Sequence, residues 1–310
     1  MKLSDLVKYR AQLREFNTQD VIDIVYREIM PMLHRVRQSG NLTPHDQAIA
    51  DSYDKIQNSI KEFGNNIQLA HDAVQARIDH NGKDYFARSS LCHEDLRGAF
   101  KNTKHLERRI TLSEESHNII SARISSRADW HYPGLVIHPS HETWIDHMVA
   151  MDPLYVMDED WDWLEPLKVR YSANYQKRVR YFVTPPFSNA PLMGNVPNTQ
   201  LGVVLVYNFF NYKPFEVIQH FLDKIYQKMK PGGVLMMTIN DCDRPGGVDL
   251  VDRYAAAYTP SSLVQTYAES LGYQVIFRHD LDAAVTWMEL QRPGVLNSLR
   301  GGQSLAKIVA

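Results

Sequence analysis

Apolar positions along the chain follow two regimes. From Leu3 to about Arg37 they recur at helical spacing, through Leu3, Leu6, Val7 and Leu13 and then Val21, Ile24, Val25, Ile29 and Leu33. Pro31 is expected to end or kink the second stretch. Thr43 suits an N-cap and Pro44 the first helical position. Beyond them Ile49, Tyr53, Ile56, Ile60, Phe63, Ile67, Ala70 and Val74 alternate by four and three residues, an a/d seam. Such a seam serves either an intramolecular helical hairpin or a coiled coil between subunits. Gly64 lies in the seam region and costs about 1 kcal/mol of helix propensity. His80-Asn81-Gly82 predicts a turn, which gives a heptad-patterned helix over 44–80. Over 83–128 the pattern weakens: Leu96, Phe100, Leu106 and Ile110 suggest one helix, and Ile119, Ile120 and Ile124 another.

From Asp129 onward short apolar runs alternate with helical stretches, the signature of a parallel sheet with crossover helices. The predicted strands are Leu135 to Ile137, Leu154 to Met157, Val179 to Val183, Val203 to Tyr207 and Val234 to Ile239. Between them the predicted helices are Trp144 to Met151, Leu164 to Tyr175 and Phe215 to Met229. The last has a stripe of Val217, Ile218, Phe221, Leu222, Ile225 and Met229 and is expected to stop at Lys230-Pro231-Gly232-Gly233. A further helix, Ser261 to Ser270, precedes two β-rich runs, Gln274 to Arg278 and Ala284 to Leu290, suited to an antiparallel pair. The expected organisation is a helical N-terminal domain (1–128), an α/β domain (129–293) and a tail (294–310).

Composition narrows the class. Of 310 residues 44% are apolar, and 34 basic against 36 acidic side chains leave a formal charge of −2, which gives no support to bulk nucleic-acid binding. The two cysteines, Cys92 and Cys242, exclude a disulfide framework and suit a reducing compartment. No apolar run approaches the roughly 20 residues of a membrane span, and the polar start lacks a secretory core. A cytoplasmic protein without membrane contact is expected.

Five strands alternating with helices and closed by a terminal hairpin, together with the passage Lys228-Met229-Lys230-Pro231-Gly232-Gly233-Val234 into the fifth strand, resemble the class I S-adenosylmethionine-dependent methyltransferases. The resemblance spans roughly residues 130–292. The pattern is also similar to methyltransferase-like proteins of large tailed phages. It implies a Rossmann-like, mostly parallel seven-stranded sheet with an antiparallel last strand, and S-adenosylmethionine as cofactor.

In such sheets the ligand lies outside the carboxyl ends of the strands, so the residues following each strand carry the candidate chemistry. After the second strand stand Asp158, Glu159 and Asp160; Asp158 matches the family's acidic position, where a carboxylate accepts both ribose hydroxyls. The same residues also read as a solvated acidic turn. After the first strand comes His138-Pro139-Ser140-His141-Glu142, where the family places glycines and this chain has none. His138, Ser140 and Glu142 there are candidate cofactor contacts, the amides of a helix beginning at Ser140 offering a carboxylate site. His141 is a candidate general base. Thr184, ahead of Pro185-Pro186-Phe187, resembles the first position of the motif of amino-methyltransferases, although a rigid Pro-Pro turn reads the same and the motif belongs after the fourth strand. After the fourth strand, Asn208 and Asn211 are candidates to orient an acceptor and Phe209 to wall the pocket. His131, His138, His141 and His147 do not space three ligands onto one helical turn, so no metal site is assigned.

Two functions follow from the resemblance. One is methyl transfer to a small molecule or a protein side chain by in-line attack on the sulfonium methyl, which alignment alone accelerates without a dedicated base. The other is a catalytically silent methyltransferase-like fold serving as a structural or assembly protein, with contacts, including those of a homo-oligomer, through helix 44–80; the missing glycines favour it. Nucleotide-sugar or dinucleotide binding on a Rossmann sheet fits the Lys-Pro-Gly-Gly passage and the terminal hairpin less well.

Overall fold

The computed structural model describes residues 2–15, 27, 31, 34, 35, 38, 43–102, 110–139, 143–184, 192–253 and 255–296, with the backbone alone for 15, 46, 49, 50, 53, 54, 57, 87–102 and 143. Outside the described residues lie most of the helix expected through Val21 to Leu33, Leu106, Ser140, His141, Glu142, Pro185-Pro186-Phe187 and the tail beyond 296. The chain divides into two compact units, Met1–Asp84 and Tyr85–Ala310.

In the first unit, α1 (Leu3–Glu15) buries Leu3, Leu6 and Val7. It lies along the helix that starts at Pro44: Arg10 Nη1 donates to Gln75 Oε1 at 2.8 Å, and Arg14 Nε to His71 Nε2 at 3.4 Å. That helix, α2 (Pro44–Asn102), begins where Pro44 predicts but does not end at Asn81-Gly82. The expected boundary of 80 is therefore corrected to Asn102. The intrinsic cost of Asn-Gly inside a helix is about 1–2 kcal/mol, less than tertiary packing supplies. Within the second unit the next turn is anchored: Phe86 sets its ring edge-on to Tyr258 at 4.9 Å and tilted to Phe215 at 6.2 Å, and the Tyr85 hydroxyl donates to Asp252 Oδ1 at 2.6 Å.

The second unit continues with α3 (Glu114–Arg127), capped by Ser113, whose side chain accepts the Ser116 N–H. A seven-stranded sheet then forms from β1 (Gly134–Ile137), β2 (Leu154–Asp158), β3 (Val179–Val183), β4 (Leu201–Val206), β5 (Met229–Asn240), β6 (Gln274–Asp280) and β7 (Val285–Gln291). Its order is β3-β2-β1-β4-β5-β7-β6, parallel except that β7 runs antiparallel to both neighbours. This is the Rossmann-like sheet with a reversed last strand that the resemblance implies. β1 and β4 are buried along their whole length, as strands covered on both faces must be.

Helices α4 (Trp161–Arg170), α5 (Ala173–Gln176), α6 (Phe215–Lys228), α7 (Pro245–Asp252) and α8 (Ser261–Ser270) complete the unit. The α6 stripe buries Phe215, Ile218, Phe221, Leu222 and Ile225 against one face of the sheet, each contributing about 1.5–3 kcal/mol. Opposite it, Ile120 and Ile124 of α3 join Trp144, Met148 and Trp287 on the other face.

Three expected elements differ. Trp144 to Met151 is a 3₁₀ turn over Thr143–Met148 instead of an α-helix. The Leu164 to Tyr175 helix is two short helices, because Ser172 starts a new cap by accepting the Tyr175 N–H. The Phe215 helix closes at Lys228, just ahead of Lys230-Pro231-Gly232-Gly233 as expected, but the strand expected from Val234 already begins at Met229, which pairs with Leu201, so that passage lies inside β5. Gly232, at φ 85°, lets the strand turn there while its N–H donates to the Arg292 carbonyl at 2.8 Å.

Candidate functional site

The strand order reverses between β1 and β4, so the crevice at their carboxyl ends is where an open sheet of this kind takes a ligand. Asp158 is the last residue of β2, next to β1, and is only 3% exposed. His138 is the first residue after β1, and its N–H continues the ladder by donating to the Met157 carbonyl at 2.9 Å. Its backbone is left-handed, φ 57°, a conformation that glycine adopts freely and other L-residues hold at a cost of about 1–2 kcal/mol. The loop thus lacks the expected glycine but keeps a glycine-like backbone at this position.

The His138 ring lies over the acidic strand end. Its Nδ1 is 2.7 Å from Asp158 Oδ2, and because a carboxylate can only accept, the imidazole donates. Trp163 meets the ring at 4.7 Å in an edge-on arrangement and Phe209 tilts against it at 5.8 Å. The other carboxylate oxygen, Asp158 Oδ1, accepts the Asp160 N–H at 2.9 Å. Asp158 is therefore not the open, solvated carboxylate of the acidic-turn reading, nor does it stand with both oxygens free for a ribose. Asp160 caps α4, its side chain accepting the Asp162 N–H at 3.1 Å. Glu159 is held by Lys213, whose Nζ is 2.6 Å from Glu159 Oε2 and 4.4 Å from the centre of the Phe209 ring. Thr184 follows β3, its N–H donating to the Asp158 carbonyl at 2.9 Å.

Beyond β4, Asn208 repeats the left-handed backbone, φ 55°. Its N–H donates to Thr238 Oγ1 at 2.7 Å, and its side-chain oxygen accepts from Asn211 Nδ2 at 2.7 Å. Asn211 is 3% exposed, and its own side-chain oxygen has no hydrogen-bond partner among the described residues. An unmatched buried carbonyl oxygen of this kind costs about 1–3 kcal/mol. Phe209 and Phe210 are both buried and both meet Phe221 edge-on, at 5.3 and 5.6 Å, so both pack into the core, and Phe209 also reaches the His138 ring at 5.8 Å.

Of the residues singled out from the sequence, His138, Asp158, Glu159, Thr184, Asn208, Phe209 and Asn211 gather at the carboxyl ends of β1 to β4. Ser140, His141 and Glu142 lie outside the described residues. The described histidines of the cluster go to separate partners: His131 to Asp129, His138 to Asp158 and His147 to Ser125. Trp163 and Lys213 were not legible as site residues, since Trp163 reads as an ordinary helix aromatic and Lys213 as a loop cation.

The residues fit an adenosyl group in kind. Asp158 offers a carboxylate of the kind that accepts ribose hydroxyls, and the backbone at His138 is left-handed, as a glycine's would be. As the chain stands, Asp158 Oδ2 accepts from the His138 ring.

Among the described residues no helix is long and apolar enough to cross a membrane. No family model matches the chain, and no curated protein does. Solved structures similar to it include the N-methyltransferase NodS from Bradyrhizobium japonicum WM9, at 15% identity over 58% of this chain and 96% of that one with a TM-score of 0.42. The cyclase SpnF is similar at 10% identity over 59% and 84%, TM-score 0.44. The mitomycin 7-O-methyltransferase MmcR is similar at 15% identity over 56% and 53%, TM-score 0.42. Likeness of this degree says nothing about substrate or activity; the fold stands on the chain's own strand order. With β3-β2-β1-β4-β5-β7-β6, a reversed β7 and an acidic residue closing β2, the second unit has the class I S-adenosylmethionine-dependent methyltransferase fold.

Proposed function

We propose that the α/β part of the chain, residues 129–293, binds S-adenosylmethionine at the carboxyl rim of its sheet and transfers a methyl group to a small molecule or a protein side chain. The observation that carries this reading is Asp158, a buried carboxylate closing β2 beside the point of strand reversal, with its Oδ2 already accepting an N–H from a neighbouring side chain. When bound, S-adenosylmethionine supplies an electrophilic methyl group. The chain's part is to bind, orient and exclude water. Asp158 would accept from the ribose, Thr184 and Phe209 would border the nucleoside, and Asn208 and Asn211 would orient the acceptor. The unmatched Asn211 oxygen suits an acceptor that carries an N–H or O–H.

The test is a thermal melt with and without S-adenosylmethionine or S-adenosylhomocysteine. Ligand at 100 times its dissociation constant adds about 2.7 kcal/mol, a rise of several degrees for a unit of this size. Asp158→Ala is expected to abolish the rise.

A second reading, a silent methyltransferase-like fold that serves as a scaffold with contacts through the heptad face of α2, is favoured by one observation: His138 already occupies Asp158. A flat melt at millimolar ligand, for wild type and for variants lacking the imidazole, would decide for it.

A further inference from the structure

We propose that His138 is an intramolecular stand-in for the ribose, so that a nucleoside reaches Asp158 only in exchange for the imidazole. This rests on the reading that the rim takes an adenosyl ligand, and concerns how tightly it does so. Three observations point the same way. The Nδ1 hydrogen is given to Asp158 Oδ2 at 2.7 Å, the bond a ribose hydroxyl makes to such a carboxylate. The ring is in contact with Trp163, edge-on at 4.7 Å, and with Phe209, tilted at 5.8 Å, apolar surfaces beside the carboxylate. The backbone that delivers it is left-handed, which a glycine would hold without strain and which here persists under a histidine.

The neighbouring acid is excluded from the exchange. Lys213 holds Glu159, and the Asp160 N–H holds Asp158 Oδ1, so Asp158 Oδ2 is the oxygen the imidazole releases. Rotation of one side chain opens it, while the β1 end and the left-handed turn stay as they are. The incoming hydroxyl then replaces a hydrogen bond instead of adding one. His138 thereby sets the affinity for the nucleoside, and a ligand without hydroxyls for Asp158 gains nothing from displacing it.

The experiment is calorimetric titration of S-adenosylhomocysteine into the full chain as wild type, His138→Gly, His138→Asn and the double variant His138→Gly with Asp158→Ala. Glycine and asparagine both accept a left-handed backbone, so two independent variants guard against a folding failure, which circular dichroism monitors. Both are expected to bind more tightly than wild type, by on the order of tenfold to a hundredfold, the worth of one hydrogen bond to a charged group. The double variant is expected to lose that gain. Equal or weaker binding by both His138 variants, with wild type binding, overturns the exchange and leaves the adenosyl site standing. No binding by any folded variant overturns the adenosyl site and the exchange with it.

Discussion

His138 and Asn208 hold matching left-handed backbones, φ 57° and 55°, just beyond the ends of β1 and β4, the two strands between which the sheet order reverses. Each conformation is maintained by a bond to a neighbouring strand: His138 to the Met157 carbonyl, Asn208 to Thr238 Oγ1 on β5. Thr238 is fully buried, so Thr238→Val keeps the shape but orphans the Asn208 N–H. A loss of about 1–3 kcal/mol is expected by chemical denaturation, with Thr238→Ser close to wild type. A Thr238→Val protein as stable as wild type would show that the turn does not depend on this bond.

Glu289 on β7 is completely buried and carries a carboxylate. Arg123 of α3 grips it through two nitrogens, Nη2 to Oε2 at 2.7 Å and Nε to Oε1, and Trp287 Nε1 donates to it at 3.1 Å. Arg127 is 3.8 Å away. Burial lowers the Arg127 pKa, and the Glu289 charge works against that shift. Arg123→Ala leaves a buried charge with poorer compensation and also removes the guanidinium lying 3.6 Å over the Phe277 ring. A destabilisation of about 3–5 kcal/mol is expected. Replacing Glu289 with Met in the same protein is expected to recover part of it, because the stranded charge goes too; additive losses would refute this account.

Two glycines make opposite predictions. A Cβ on Gly247 would sit 2.0 Å from the Asp241 carbonyl oxygen, a backbone atom that cannot move aside cheaply. Gly247→Ala is expected to prevent folding or to lower the melting point by many degrees. A Cβ on Gly64, inside α2, meets nothing within 4 Å among the described residues. Gly64→Ala is expected to raise stability by about 0.5–1 kcal/mol, the difference in helix propensity. The paired melting curves test both.

Alkaline stability has a defined sign. Burial pushes the Tyr175 hydroxyl up from its ordinary value to about 12, against a smaller lowering from Arg178. Tyr171, whose hydroxyl donates to Asp146 Oδ1 at 2.7 Å, moves in the same direction through burial and that bond, and Tyr181 through burial. The folded state holds these protons more tightly than the unfolded chain. The stabilisation is therefore complete below about pH 10 and is lost as the pH rises from there towards 12. Denaturation midpoints are expected to fall between about pH 9 and about pH 11, together with delayed tyrosinate absorbance in the native protein. Native tyrosines titrating at the ordinary value would contradict this.

What the sequence determined by itself was the alternation of elements. Val179–Val183 and Ser261–Ser270 fall where the apolar pattern puts them, and the order of strands and crossovers implied the sheet. Period-two and period-3.6 spacing are local properties, readable from neighbours along the chain. The rim positions were legible for the same reason, since strand ends follow from strands. What each rim side chain does was decided only in three dimensions. His138 reaches Asp158 across 20 residues, Lys213 reaches Glu159 across 54, and Arg123 reaches Glu289 across 166. The run of α2 past Asn81-Gly82 was settled the same way, by packing of Phe86 on Phe215 and Tyr258. Local pattern states which face of an element is buried; strand register and packing, which bring distant residues together, decide which donor meets which acceptor.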